Sequence, residues 1–237
     1  MSIKRILSKV TLIFGHLKII STFLLLLVII SCERKGKDDV VRKDTVDNID
    51  SVDTGDSFDT GDSKETIIAN KDTALLILSR SILSHIRNKN YSALSEYIHP
   101  VSGLRFSPYG YVDTINNKQF SAEQFVQMMS SGKKIHWGQF DGSGDSILFT
   151  PKEYFAKFVY DVDFLNAEKI AVNKILGHGN SLINISQIYR DSDFVEFHFS
   201  GFDKKYDGMD WRSLRLVFTL HNNKHYLTGI IHDQWTS

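Results

Sequence analysis

The chain has 237 residues, of which 42% are hydrophobic and 24% are charged, and its 28 basic residues balance its 28 acidic residues. A chain without net positive charge offers no electrostatic reason to bind nucleic acid, so nucleic acid is not an expected partner. The single cysteine excludes an internal disulfide and needs another explanation.

The first 31 residues have the pattern of an export signal. They carry four basic residues and no acidic one, and a largely apolar run of twelve residues spans 19–30. A membrane span needs about 20 apolar residues, so the run is too short for a transmembrane helix and suits a signal-peptide core. It ends in Val28-Ile29-Ile30-Ser31-Cys32, which resembles the lipobox of bacterial lipoproteins. The resemblance implies cleavage before Cys32 and lipidation of its thiol, whereas the alternative is an uncleaved N-terminal helix.

The residues after the cysteine bear on the location of the chain. Lys37-Asp38-Asp39 resembles the short signal, a lysine followed by acidic residues, that sends some Gram-negative lipoproteins to the outer face of the outer membrane. We therefore expect a chain in the bacterial cell envelope, held in the outer membrane by acyl chains such as palmitate. Its first partner is then the membrane, and exposure at the cell surface stays an alternative.

Residues 33–70 have the composition of a linker. They hold eleven acidic and six basic residues, a net charge of −5, and aspartates recur every three positions from Asp44 to Asp62. A calcium-binding β-solenoid has a glycine-rich repeat of nine residues, which this stretch lacks. Self-repelling polar segments stay extended, so 32–70 is interpreted as a lipidated, disordered stalk and 71–237 as one globular domain.

Capping and stop signals predict four helices in the domain. Asp72 is interpreted as the cap of a helix over 72–89, and a short helix over 91–98 is expected to stop at His99-Pro100. Ser121 begins a capping box and a helix through 131. Thr150 begins a second capping box, with proline at the first helical position, and a helix over 153–160.

Strands are predicted over 171–176, 194–200, 213–220 and 225–232. Asn222-Asn223 is suited to the turn of the last hairpin, because asparagine tolerates positive φ. A two-residue turn there pairs Arg212 with Asp233 and Ser213 with His232. Strict alternation along 213–220 predicts a strand that is buried on one face. The fold class is therefore α+β, with N-terminal helices packed on a curved antiparallel sheet.

The order of these elements resembles the cone of the NTF2-like (cystatin-like) fold. Several strings also resemble an uncharacterised family of exported bacterial domains, found alone or attached to copper-amine-oxidase N-terminal-like modules. That resemblance implies no activity. The strings are His99-Pro100, 103–109, Trp137-Gly138, 141–145, 177–181, 206–215 and 229–235.

Two loops invite comparison with known ligand motifs. Asp141, Ser143 and Asp145 alternate as oxygen ligands do in calcium loops, but the glycine and glutamate of an EF-hand are missing from their positions, so a polar loop is the preferred interpretation. The string 177–181 is rich in glycine but has no lysine to contact a phosphate, and it is interpreted as a turn that leaves a strand. No metal and no cofactor are expected.

The terminal hairpin carries the densest polar and aromatic residues. One interpretation is a ligand pocket, and the alternative is a structural network in which Arg212 pairs with Asp233 or Asp210. The predicted ligand-binding residues are Arg215, His232, Trp211 and Trp235.

Three functions follow from these patterns. The preferred one is a non-catalytic binding or accessory domain for a cell-wall or extracellular ligand. An alternative is a pocket-based acid–base enzyme of hydrolase or isomerase type, with His232 and either Asp210 or Asp233 as its catalytic residues. The third is a structural partner in an envelope complex, which predicts a large exposed apolar patch.

Overall fold

The structure is a computed structural model that describes residues 61–236, with side chains from residue 70 onward. The predicted export signal, Cys32, Lys37-Asp38-Asp39 and stalk residues 33–60 lie outside the described residues. Within the described part of the chain, no helix combines the length and hydropathy that a membrane crossing requires.

Helices and strands alternate irregularly along the chain, which confirms the α+β class. The helices are α1 (Gly61–Arg87), α2 (Tyr91–Ser95), α3 (Ala122–Ser131), α4 (Pro151–Phe158) and α5 (Ile185–Ile188). The strands are β1 (Leu104–Ser107), β2 (Gln119–Phe120), β3 (Ile135–Gln139), β4 (Ser146–Phe149), β5 (Lys169–Val172), β6 (Ser192–Phe199), β7 (Arg212–His221) and β8 (Lys224–Gln234). Short 3₁₀ turns span Phe164–Asn166 and Lys204–Tyr206.

Six strands form one sheet in the order β2-β1-β8-β7-β6-β5, and β3 pairs with β4 in a separate hairpin. Strand β1 runs parallel to β8, while the other neighbours in the six-stranded sheet are antiparallel. The sheet is therefore mixed, and the expectation of a purely antiparallel sheet is wrong. The cause is a long-range crossover, because β1 lies more than 100 residues before its partner β8.

Local capping signals place two helices correctly and one incorrectly. Ser121 and Thr150 both form complete capping boxes, with Gln124 and Glu153 closing them. Asp72 does not cap a helix, because α1 begins at Gly61 and passes through Asp72 without a break. The preceding lysine, glutamate and isoleucines are compatible with a helix, so the helix extends beyond the predicted start.

An aromatic core fills the space between the helices and the first face of the sheet. Trp137 stacks on Tyr154 at 3.9 Å between ring centroids, and its indole donates to the Phe149 carbonyl at 3.0 Å. Leu214 and Leu216 of β7 enter the same core, which also contains Leu75, Ile82 and Leu83 of α1. The first face of the sheet is thus closed by helices, as an α+β fold requires.

The turn of the last hairpin is confirmed, but its register is only partly as predicted. Asn222 and Asn223 have φ angles of 48° and 60°, and His221 pairs with Lys224 as expected. An extra residue, Thr228, then shifts the register between the pairs at Phe218 and Val217. A β-bulge moves every later residue to the opposite face. The predicted pairs of Arg212 with Asp233 and of Ser213 with His232 are therefore wrong by one residue.

The second face of the sheet is also buried. The segment between β5 and β6, residues 173–189, lies over β6 and β7 and is called here the covering segment. Its Ile185 packs with Val217, Ile231 and Val112 in a small second core. Arg215 on this face has no exposed surface. The prediction of a strand buried on one face is therefore wrong, because this non-periodic segment replaces solvent.

Candidate functional site

A cluster of buried charges lies between the sheet and the covering segment. The Arg215 guanidinium donates from Nε to Glu196 Oε2 at 2.8 Å and from Nη1 to Asp233 Oδ2 at 2.8 Å. Its Nη2 donates to the Gly177 carbonyl at 2.9 Å. Both carboxylate side chains are almost fully buried, as is the arginine. All three guanidinium nitrogens of Arg215 are thus committed to contacts within the protein.

Glu196 extends this buried charge cluster to the backbone of the covering segment. Its Oε1 accepts from the Gly177 N–H at 2.8 Å, and its Oε2 accepts from the Leu176 N–H at 3.1 Å. Burial raises the pKa of Asp233, and the adjacent Arg215 charge offsets only part of that increase. The cluster therefore holds the covering segment to the sheet, and it keeps two carboxylates away from water.

Ser213 and His198 in this region resemble a nucleophile and its base, but the hydrogen bond between them runs in the opposite direction. Ser213 Oγ lies 2.7 Å from Glu196 Oε1 and 2.8 Å from His198 Nδ1. A carboxylate only accepts hydrogen bonds, so the serine hydroxyl donates to Glu196 and accepts from His198. A catalytic histidine instead accepts the serine proton. The pair is arranged to satisfy buried polar groups.

Two glycines are required for the covering chain to approach the cluster. A Cβ on Gly177 would overlap the Ser213 hydroxyl. A Cβ on Gly110 would lie 2.6 Å from Asp233 Oδ2, so the loop at 108–112 also packs directly on the cluster. The glycines in 177–181, interpreted from sequence as a simple turn, allow close contact with buried polar side chains.

His232 lies on the opposite face of β8. It is fully buried, with Nε2 3.3 Å from Asp161 Oδ1 and Nδ1 3.3 Å from the Pro108 carbonyl oxygen. Arg212 donates from Nε to Asp161 Oδ2 at 2.9 Å. Burial raises the pKa of Asp161, but the hydrogen bond from His232 and the charges of His232 and Arg212 outweigh it, so the pKa is lowered. The predicted ion pairs of Arg212 with Asp233 or Asp210 are wrong.

The residues of the predicted acid–base alternative do not converge. His232 and Asp233 are consecutive in β8 and point to opposite faces of the sheet. Asp210 lies before β7, where its carboxylate accepts from the Asp203 N–H at 2.8 Å. Trp211 is buried beside Gly177 and Gly179, whereas Trp235 is 37% exposed. The predicted ligand-binding residues are therefore distributed over several environments.

The predicted calcium loop is used for internal contacts. Asp141 Oδ2 accepts from Ser181 Oγ and from Thr236 Oγ1, each at 2.7 Å. Ser143 Oγ accepts from the Asp145 N–H at 3.2 Å. Among the side chains described, those of residues 70–236, no group of three or more histidine, cysteine or acidic residues is placed to hold a metal ion. Asp141 therefore connects the β3–β4 loop to the covering segment and to the C-terminal end.

A groove of about 700 Å³ lies on the surface beside these contacts. Its walls are the loop over 108–117, the β3–β4 hairpin over 136–144, and residues 181–182 of the covering segment. The volume is within the range of roughly 300–1,000 Å³ that is typical of small-molecule sites. Parts of these walls lie in the strings 103–109, 137–138, 141–145 and 177–181 that carry the family resemblance, but no motif indicates that they form one groove.

Side-chain hydrogen bonds fix the walls of the groove relative to one another. The Asn184 amide accepts from the Val112 N–H at 2.8 Å and donates to the Val112 carbonyl at 3.1 Å. Asn184 is almost fully buried, so these bonds are shielded from water. The Asp113 carboxylate shapes the next turn by accepting from the Ile115 and Asn116 N–H groups at 2.9 and 3.0 Å. A groove held in this way requires little ordering when a ligand binds.

The lining of the groove combines aromatic rings with uncharged polar groups. Tyr109 and Phe140 are partly buried, and Tyr111 is 51% exposed. Burial raises the pKa of Tyr109, so its hydroxyl remains neutral near pH 7. Side-chain amides come from Asn116, Asn117 and Gln139. The lining is thus suited to a ligand that presents both apolar surface and hydrogen-bonding groups.

Comparison with known proteins adds little to what the geometry shows. No family model matches the chain, and no curated protein matches it. Among solved structures, it is similar to a Xanthomonas campestris protein assigned as a calcium/calmodulin dependent protein kinase II association domain. The identity is 13%, the TM-score is 0.30, and the alignment covers 68% of this chain and 85% of that one. A likeness this weak carries no argument about function.

Proposed function

We propose that this chain is a bacterial lipoprotein, anchored in the outer membrane through Cys32, whose domain binds a ligand in the groove. The proposal of the anchor rests on the lipobox at 28–32 and on the acidic stalk that follows it. The proposal of a binding function rests on one observation: three segments that are distant in sequence form a groove whose walls are joined by side-chain hydrogen bonds.

We also propose that the domain has the NTF2-like cone as its fold. The support is a long first helix packed against one face of a six-stranded sheet, with the last two strands forming its centre. In this domain the space between helix and sheet is occupied by large aromatic side chains. A ligand is therefore expected outside the cone, in the groove.

Binding is favoured over acid–base catalysis because the buried ionisable groups are occupied by structural contacts. Arg215 and Glu196 hold the covering segment, and Asp161 pairs with both Arg212 and His232. An acid–base enzyme needs such a group within hydrogen-bond reach of its substrate. Of the ionisable groups in the groove lining, Asp113 and Asp141 accept hydrogen bonds from neighbouring groups, and His136 Nε2 lies 3.2 Å from Ser146 Oγ. The aromatic and amide side chains of the lining suit recognition.

A photo-crosslinking residue in the groove tests this proposal in cells that produce the full chain. Tyr111→p-azidophenylalanine places the crosslinker at the groove, and Tyr206→p-azidophenylalanine is the matched control because Tyr206 is 45% exposed and lies elsewhere. We expect an adduct with an envelope or extracellular component from position 111 and none from position 206. Equal adducts from both positions, or none from position 111, would contradict the proposal.

A further inference from the structure

The charges around the groove limit the ligands that it can bind. Asp113 and Asp141 are in the lining, and neither a lysine nor an arginine is among the residues that form it. Hydrogen bonds from Asn116 lower the pKa of Asp113, and those from Thr236 and Ser181 lower the pKa of Asp141, so both carboxylates are charged at neutral pH. An anionic ligand would meet two negative charges and neither a lysine nor an arginine, which disfavours it.

The two carboxylates are also occupied by neighbouring groups. Asp141 accepts from two hydroxyls, and Asp113 accepts from two N–H groups and from the Asn116 amide at 2.6 Å. A cationic ligand would gain from the negative field, but these carboxylates already have donors around them. The carboxylates therefore act mainly as supports for the walls.

The remaining polar groups of the lining both donate and accept. Gln139 is exposed at the groove, and side-chain amides carry one acceptor oxygen and two donor hydrogens. The Tyr111 hydroxyl is likewise a donor and an acceptor. A purely apolar ligand would leave such groups desolvated without partners. Ligand hydroxyls, which also donate and accept, match them.

Aromatic rings supply the apolar part of the contact. Tyr109, Tyr111 and Phe140 come from two different walls, so rings are present on more than one side of the groove. The face of an aromatic ring is electronegative and attracts polarised C–H groups, such as those on one face of a sugar ring. Phe140 also packs edge-on against Phe149 at 6.0 Å between centroids, which limits its movement.

From this combination we infer that the groove binds an uncharged glycan chain. This inference rests on the proposed function and adds the chemical class of the ligand. Aromatic faces contact the sugar rings, while Gln139 and the Tyr111 hydroxyl bond to sugar hydroxyls. The open surface position of the groove allows a chain to pass through it instead of requiring a single enclosed molecule.

The test is calorimetric titration of the full chain in detergent micelles with four defined probes. Cellotetraose is a neutral glucose oligomer, and chitotetraose is a neutral oligomer with N-acetyl groups, so these two distinguish a plain polysaccharide from an N-acetylated wall-type glycan. Tetragalacturonate and spermine are the anionic and cationic controls. Tyr111→Ala is compared with Tyr206→Ala, since both side chains are about half exposed and only Tyr111 lines the groove.

We expect at least one neutral tetrasaccharide to bind, with an affinity that falls roughly tenfold in Tyr111→Ala and is unchanged in Tyr206→Ala. If only spermine or tetragalacturonate binds in a Tyr111-dependent manner, the assignment of an uncharged glycan is wrong and the groove remains a binding site. If no probe binds while the crosslink from position 111 persists, the glycan class is again wrong. Loss of both the binding and the crosslink overturns the groove itself.

Discussion

Replacement of Arg215 by alanine should destabilise the domain more than any change at a nearby charged residue. The substitution removes a guanidinium that contacts Glu196, Asp233 and the Gly177 carbonyl, and it leaves two buried carboxylates without a cation. Breaking a buried ion pair from one side costs about 3–5 kcal/mol. Since one kcal/mol lowers the melting temperature of a domain of this size by roughly 2–4 °C, we expect a decrease on the order of 10 °C.

Arg212→Ala is the matched control. Arg212 pairs with Asp161, but the arginine side chain is 24% exposed and the aspartate 14% exposed, so water replaces part of the lost interaction. A partly exposed pair contributes about 1 kcal/mol. Thermal and urea unfolding followed by circular dichroism should therefore show that Arg215→Ala loses several times more unfolding free energy than Arg212→Ala.

The pH dependence of the Arg215→Ala variant gives a second test. Without the arginine, the pKa of Asp233, already raised by burial, loses the largest interaction that opposes the increase. A carboxyl group whose pKa is raised in the folded state stabilises the fold as pH falls, because the folded protein binds the proton more tightly. The free energy of unfolding of Arg215→Ala should therefore come closer to that of the wild type as pH falls from 7 to 5. If Arg215→Ala is as stable as Arg212→Ala, or its deficit grows at low pH, the reasoning is refuted.

Three further predictions address the anchor, the groove and the acid limit of stability. Cys32→Ser should abolish incorporation of labelled palmitate and leave the precursor uncleaved, and normal labelling of the variant would contradict the lipid anchor. Asn184→Ala removes two buried hydrogen bonds to the Val112 backbone and should cost about 2 kcal/mol, with faster amide exchange at residue 112 than in the wild type. The pKa of Asp161 is lowered in the folded state, so its contribution to stability is present above the unfolded pKa of about 3.9 and is lost as pH falls through the folded value. Asp161→Asn should therefore be less stable at pH 7 and show a smaller loss between pH 5 and pH 2, which acid titration of the unfolding free energy will measure.

Local chemistry in the sequence was enough to predict several elements. The capping boxes at Ser121 and Thr150 need only four consecutive residues, and the Asn222-Asn223 turn needs only two, so each is visible without knowledge of the fold. The strand β7 was also predicted from its alternation. Its second face could not be assigned, because a polar face of a strand has the same pattern whether water or another segment covers it.

Long-range features were missed for a related reason. The bulge at Thr228 depends on packing across the sheet, and a single extra residue exchanges the environments of Asp233 and His232. The covering segment has no hydrophobic period, and its role becomes visible only through its contacts with Glu196 and Arg215. The sequence therefore indicates a cluster of charges in the terminal hairpin, but it does not indicate their partners Glu196 and Asp161.

The groove shows the same limit. Tyr111 and Asn184 belong to no motif, and the residues that join its walls are separated by 40 to 72 positions in the sequence. Asp141 was noticed as a ligand for calcium, yet its contacts with Ser181 and Thr236 make it part of the wall. A site assembled from three loops can be found only after the loops are brought together.

Hydrogen–deuterium exchange of the full chain, with and without soluble glycan fragments of the cell envelope, tests the central claim most directly. Added ligand should slow exchange in 108–117, 136–144 and 181–182, which form the walls of the groove. Exchange should not change in the loop over 200–210, which lies outside the groove. Protection confined to that loop, or an absence of protection in the three walls when ligand is bound, would contradict the claim that this groove is the binding site.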